Sequence, residues 1–83
     1  MATPKIFLRG TLRGTDRAGM STMGNPIYRL IIEDENGVFR TYLTQSNASL
    51  SYGITNPEYR DALCDFELTR AHRVAYARIV VSD

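Results

Sequence analysis

The segment Ile27–Gln45, IYRLIIEDENGVFRTYLTQ, restricts the fold of this chain more than any other. Two runs rich in β-branched, aromatic and aliphatic residues flank Asp34-Glu35-Asn36-Gly37. An Asn-Gly pair between such runs signals a hairpin, because both residues accept the positive φ of a type I′ turn. In the first run Tyr28, Leu30 and Ile32 alternate with Arg29, Ile31 and Glu33; in the second, Phe39, Thr41 and Leu43 alternate with Arg40, Tyr42 and Thr44. A two-residue Asn36-Gly37 turn sets Glu33 opposite Arg40, Ile31 opposite Tyr42 and Arg29 opposite Thr44. It sets Ile32 opposite Thr41, Leu30 opposite Leu43 and Tyr28 opposite Gln45 on the other face. The second set is apolar enough to build a core, and the first mixes arginine, an aromatic ring and polar groups. A wider turn beginning at Asp34 shifts the partners, though not the alternation within each strand.

Elsewhere the pattern is again mostly extended. Lys5–Arg13 predicts a first strand, with Ile6, Leu8 and Leu12 on one face and Phe7, Arg9, Thr11 and Arg13 on the other. Gly10 interrupts the apolar face, which marks a bend, a bulge or close approach of another backbone. Gly14–Pro26 reads as a long loop in which Met20 and Met23 either anchor to the body, the commoner case, or lie exposed at a binding site. Leu50, Tyr52 and Ile54 alternate as a short irregular strand. Asn56-Pro57-Glu58 has the residue order of a helix start, with a capping side chain, proline at the first position and an acid near the positive end. From there two readings stay open: a short helix to Leu63 followed by a strand over Cys64–Thr69, or one helix reaching Thr69. Arg70–His72 reads as a turn and Arg73–Val81 as a last strand, in which Ala75 and Ala77 permit close packing.

The order of strand, loop, hairpin, crossing helix and strand pair resembles the layout of the oligonucleotide/oligosaccharide-binding (OB) barrel. The resemblance is one of topology over most of the chain and carries no family motif. It implies a mainly β fold, a small five-stranded OB-like barrel with one short helix between the third and fourth strands. An SH3-like barrel shares the pattern, and the continuous-helix reading gives an α+β sheet instead. It also implies a ligand surface on strands two and three and on the loops after strands one and four. Those positions hold Arg29, Ile31, Arg40 and Tyr42, with Arg13 and Arg17 beside the first loop and Arg70 and Arg73 at the second. On a single-stranded nucleic acid Tyr42 would stack a base and the arginines would meet phosphates. The same face, as Arg29, Ile31, Glu33, Arg40 and Tyr42, suits a protein partner, since tyrosine and arginine dominate protein hot spots. An open edge on strand one or strand five would allow a homodimer.

Composition narrows the classes. With 83 residues the chain is one domain, 1–83, with a modest core. The formal net charge is +1, so no strong overall pull on a polyanion is implied, but the basic residues are unevenly spread and all except Lys5 are arginine. Cys64 is the only cysteine, which excludes an intrachain disulfide and a thiolate zinc site and fits a reducing, cytoplasmic setting. The N-terminal residues lack a signal-type apolar core, and no apolar run is long enough for a membrane span. His72, the only histidine, lies beside the last turn, and its spacing from Cys64 matches no nucleophile–base arrangement. The expected state of Cys64 is burial; that of His72 is exposure to solvent. Glu33-Asp34-Glu35 reads as a solvated hairpin tip, because successive strand side chains point apart and do not converge on a metal. No enzyme, cofactor or metal function is expected.

Overall fold

The computed structural model describes residues 6–45, 50 and 53–81. Lys5, Tyr52 and residues 46–49 of the polar segment lie outside the described residues. Five strands, β1 (Ile6–Met20), β2 (Pro26–Asp34), β3 (Phe39–Leu43), β4 (Leu63–Leu68) and β5 (Val74–Ile79), form one antiparallel sheet in the order β3-β2-β1-β4-β5. The mainly β class and the strand count are those the sequence predicts. Helix is almost absent among the described residues. Ile54 N–H donates to the Leu50 carbonyl (2.8 Å), a helical turn where alternation predicted a strand, and Pro57–Tyr59 form a single 3-10 turn. The long-helix reading fails because burial over Leu63–Leu68 has a period of two. Cys64, Phe66 and Leu68 are buried while Leu63, which a helical stripe would have covered, is exposed.

β1 organises the sheet. Its first half pairs with β4, from Ile6 opposite Leu68 to Thr11 opposite Leu63, and most of its length pairs with β2, from Gly10 opposite Asp34 to Met20 opposite Pro26. The loop predicted over Gly14–Pro26 is therefore mostly strand. Register shifts between Leu12 and Gly14 and between Arg17 and Gly19 mark β-bulges that break the alternation and hid the strand. The connection shrinks to Ser21–Asn25, closed by Ser21 N–H to the Asn25 carbonyl (2.8 Å) and Gly24 N–H to the Ser21 carbonyl (2.9 Å). Met20 and Met23 are 60% and 84% exposed, so neither anchors this turn. Gly10 is buried because β2 approaches closely: an added Cβ would lie 2.6 Å from Ile32 Cγ2 and 2.7 Å from the Glu33 carbonyl oxygen.

The β2–β3 hairpin forms as predicted, with a different register. Asp34 N–H donates to the Val38 carbonyl (2.9 Å), and three residues, Glu35, Asn36 and Gly37, lie between that pair. The Asp34 side chain selects this wider turn. Its Oδ1 accepts the N–H groups of Asn36 (2.9 Å) and Val38 (3.0 Å), while Gly37 takes φ +80°. One extra residue flips β3 relative to β2. Tyr42 stands opposite Leu30 and Arg40 opposite Ile32 on the core side; Phe39, Thr41 and Leu43 stand opposite Glu33, Ile31 and Arg29 on the outer side. The proposed shared face of Arg29, Ile31 and Glu33 with Arg40 and Tyr42 is thereby split. The β4–β5 turn repeats the design: Thr69 N–H donates to the Arg73 carbonyl (2.8 Å), and His72 holds the positive-φ position at φ +60°.

The core combines Leu12, Leu30, Ile32, Cys64, Phe66, Leu68, Val74 and Ala77 from the sheet with Leu50 and Ile54 from the crossing segment. Full burial of each large aliphatic or aromatic side chain stabilises by about 1.5–3 kcal/mol. Tyr28, Tyr42 and Tyr59 pack partly against this cluster. The edge strands meet at one point. Thr44 forms an isolated parallel bridge with Val74, and Gln45 N–H donates to the Val74 carbonyl (2.7 Å). Among the described residues the sheet is not otherwise closed.

Candidate functional site

The arginines divide into two groups by their partners. Toward the β2–β3 turn and along β4, guanidinium groups are matched by acids. Arg40 Nε donates to Asp34 Oδ2 (3.0 Å), not to Glu33 as the narrower turn implied. Arg13 donates to Glu33 (2.9 Å) and Asp61 (3.1 Å). Arg9 grips Asp65 through two bonds (2.7 and 2.9 Å), and Arg78 lies 3.9 Å from the same carboxylate. The Val38 N–H and the Arg40 guanidinium hold the Asp34 carboxyl below the usual range; the Arg9 hydrogen bonds do the same for Asp65. Asp34 and Glu33 serve separate arginines, which corrects the picture of a solvated acidic tip.

The other arginines have no acid partner among the described residues, and one of them, Arg60, lies apart beside the crossing segment. Among the described residues, Arg17, Arg29, Arg70 and Arg73 form no ion pair. Arg17 Nε donates to the Gly19 carbonyl (3.1 Å), and Arg29 makes no ion pair with its cross-strand neighbour Asp16. Arg73 Nη2 donates to the Thr44 carbonyl (2.6 Å), while its Nε is buried without a partner.

A single row of the sheet runs from Arg17 to the neighbour of Arg73. Arg17 on β1 stands opposite Tyr28 on β2. Tyr28 is held to Thr44 by Thr44 N–H to the Tyr28 carbonyl (2.9 Å) and Tyr28 N–H to Thr44 Oγ1 (3.0 Å). Thr44 in turn bridges Val74, the residue after Arg73. Thr44 is fully buried, and its hydroxyl takes the N–H that a plain ladder would leave to a carbonyl. The ends of the β1–β2 and β4–β5 connections are thus joined through Tyr28 and Thr44, with Arg29 one residue beyond Tyr28.

Of the residues the sequence nominated, Arg17 and Arg73 lie on or next to this row, Arg29 follows Tyr28 and points to the opposite face of β2, and Arg70 lies in the β4–β5 turn, whereas Arg13 and Arg40 are engaged by carboxylates. Tyr42 is half-buried against the core and Ile31 is half-buried over Gly14, so neither is a free platform. The aromatic ring exposed on β3 is Phe39, at 61%, with Leu43 on the same outer side. A correct register would have found both. The sequence reading also missed Phe7 and Tyr76. Both stand opposite Glu67, from β1 and β5, and line an open groove of about 550 Å³ with Asp65, Ala75 and Arg78. A smaller crevice of about 290 Å³ lies between β1 and the crossing segment, beside Tyr28, Ile54 and Arg60.

Cys64 is buried and its thiol is pushed up to about 11, mainly by that burial. His72 is exposed on the last turn. Among the described residues no three histidine, cysteine or acidic side chains converge to hold a metal ion, and no helix is long and apolar enough to cross a membrane. Comparison with family models, with curated proteins and with solved structures returned no match.

Proposed function

We propose that the chain is a non-catalytic module for single-stranded nucleic acid, built as an OB-like barrel. Three features favour that architecture over an SH3-like one. β1 is long, bulged and shared between β2 and β4; the crossing segment lies between β3 and β4; and β3 meets β5 in parallel at Thr44 and Val74. The observation that carries the functional reading is that Arg17, Arg29, Arg70 and Arg73 form no ion pair among the described residues, with Arg17, Arg29 and Arg73 on or next to the Tyr28–Thr44–Val74 row. Arg17, Arg29 and Arg70 meet phosphates, Arg73 supports them from the β4–β5 turn, and Phe39, at the hairpin end of β3 opposite Glu33, replaces Tyr42 as a stacking ring for a base further along the strand. The buried thiol of Cys64 is compatible with a reducing cytoplasm.

Fluorescence anisotropy with short single- and double-stranded DNA and RNA tests this reading. Engagement of three or four phosphates predicts an affinity that falls with salt at a log–log slope of about −2 to −3 on single strands. Arg29→Ala combined with Arg70→Ala should weaken binding at least ~10-fold, while Arg13→Ala, which loses only contacts to acids, should leave it nearly unchanged. No binding of any of these oligonucleotides at ~10 µM protein and low salt defeats the proposal.

A further inference from the structure

We propose that two copies of the chain associate through β3, edge to edge and antiparallel, about a two-fold axis through Thr41. The hydrogen-bond parity of the strand points to this pairing. Asp34 N–H bonds to the Val38 carbonyl and Thr44 N–H to the Tyr28 carbonyl, so the even-numbered residues of this strand direct their backbone groups toward β2. Phe39, Thr41 and Leu43 therefore direct theirs away from the sheet. Gln45, the next odd residue, follows the same rule by bonding to Val74. Beyond that single bridge the edge has no partner strand among the described residues.

The outward side chains are self-complementary. Phe39 (61% exposed) and Leu43 (39% exposed) lie two residues either side of Thr41. A two-fold axis at Thr41 therefore sets each Phe39 opposite the Leu43 of the second copy and Thr41 opposite Thr41. The outward N–H and C=O of all three residues meet their symmetry mates. On the other side, Arg40 of one copy faces Tyr42 of the second. Electrostatics do not oppose the contact, because Arg40 is the only charged residue in β3 and is already paired with Asp34.

Exposed edges are usually guarded by proline, lysine or a bulge, and β3 has none of these. The opposite edge, β5, is interrupted by an irregularity near Leu68 and Val74 and carries Arg78, so it is the poorer template. Because each copy contributes only five residues, the contact falls short of the ~1,200 Å² typical of stable interfaces; the dimer is weak and reversible, with a dissociation constant on the order of 10–100 µM. The pairing leaves Arg17, Arg29 and Arg70 off the edge but covers Phe39, so a second copy and a single strand compete for that ring; sedimentation without nucleic acid tests the dimer alone, and Arg29→Ala with Arg70→Ala tests nucleic-acid binding alone.

Sedimentation velocity of the full chain from ~1 to ~500 µM, without nucleic acid, should show a concentration-dependent monomer–dimer equilibrium. Phe39→Lys places a charge on the edge, and Thr41→Pro removes an N–H that the monomer's ladder does not use. Each should weaken association at least ~10-fold while preserving the far-ultraviolet spectrum. Thr41→Cys should form an intermolecular disulfide on mild oxidation. The two-fold places the Cα atoms about 5.5 Å apart, within disulfide range, and Cys64 is buried out of reach. A monomer across the whole range, a dimer unaffected by both edge substitutions, or no Thr41→Cys cross-link overturns the proposal.

Discussion

Replacing Gly10 by alanine tests whether β1 is packed as tightly against β2 as the structure requires. Gly10 lies where β1 is paired on both sides, with Asp34 and with Cys64. Its new methyl group would sit 2.6 Å from Ile32 Cγ2 and 2.7 Å from the Glu33 carbonyl oxygen, against the ~3.5–4.0 Å of an unstrained carbon contact. Neither neighbour yields easily: Ile32 is fully buried, and the other atom is backbone within the β2 ladder. Overpacking of this kind costs about 1–3 kcal/mol, and alanine's lower unfolded-state entropy returns about 0.4–1 kcal/mol. The net loss of roughly 1–2 kcal/mol should lower Tm by roughly 5–15 °C for a domain of this size. Gly19→Ala is the internal control, since its methyl meets nothing within 4 Å and should leave the protein unchanged or slightly stabilised. Thermal unfolding followed by circular dichroism, with calorimetry to check two-state behaviour, reads both variants. A Gly10→Ala protein melting within ~2 °C of the parent, or no lower than Gly19→Ala, refutes the close approach of β1 and β2.

Three further outcomes follow from particular contacts. Asp34 and Asp65 have folded pKa values below their unfolded ones, so the stability they contribute is present above about pH 4 and is lost as pH falls through the depressed values; urea midpoints should drop on acidification over that range, and less steeply for Asp34→Asn. With its thiol raised from 9.0 to about 11, Cys64 carries about a hundredfold less thiolate at pH 8, so native alkylation should run at least ~100-fold slower than in urea, as mass spectrometry will report. His72 and Gly37 occupy equivalent positive-φ positions in two similar turns; His72→Gly should stabilise by about 0.5–1 kcal/mol and Gly37→Ala destabilise by about 1–2 kcal/mol, measured by urea unfolding.

The hairpin was legible in the sequence, whereas its register was not, and the difference rests on Asp34. Asn36-Gly37 favours a two-residue turn, but an aspartate able to accept two turn N–H groups, followed three residues later by glycine, favours the wider one. Both signals were present, and one residue between them moves Tyr42 and Phe39 to opposite sides of the sheet. β1 was read too short for a related reason: alternation runs cleanly to Arg13, and bulges next to Gly14 and Gly19 then reset its phase, so an irregular strand passes for a loop. The strand at Leu63–Leu68 was recoverable from the alternation of Cys64, Phe66 and Leu68 with Asp65 and Glu67. The surface of Arg17, Arg29, Arg70 and Arg73 is an expectation from topology alone. The bridge of Thr44 with Val74, which ties β3 to β5, joins distant segments and has no local signature.

The sharing of β1 between two neighbours also governs when the protein can complete its sheet. Ile6 pairs with Leu68, close to the far end of the chain, whereas the β1–β2–β3 meander is local. On a ribosome the meander can form while β4 is still unmade, leaving the leading half of β1, with Ile6, Phe7 and Leu8, as an uncovered edge. Docking of β4 onto that edge closes the longest loop in the fold and should set the folding rate. Until Leu68 emerges, a nascent or truncated chain displays an unpaired strand edge that the finished protein closes with β4 alone.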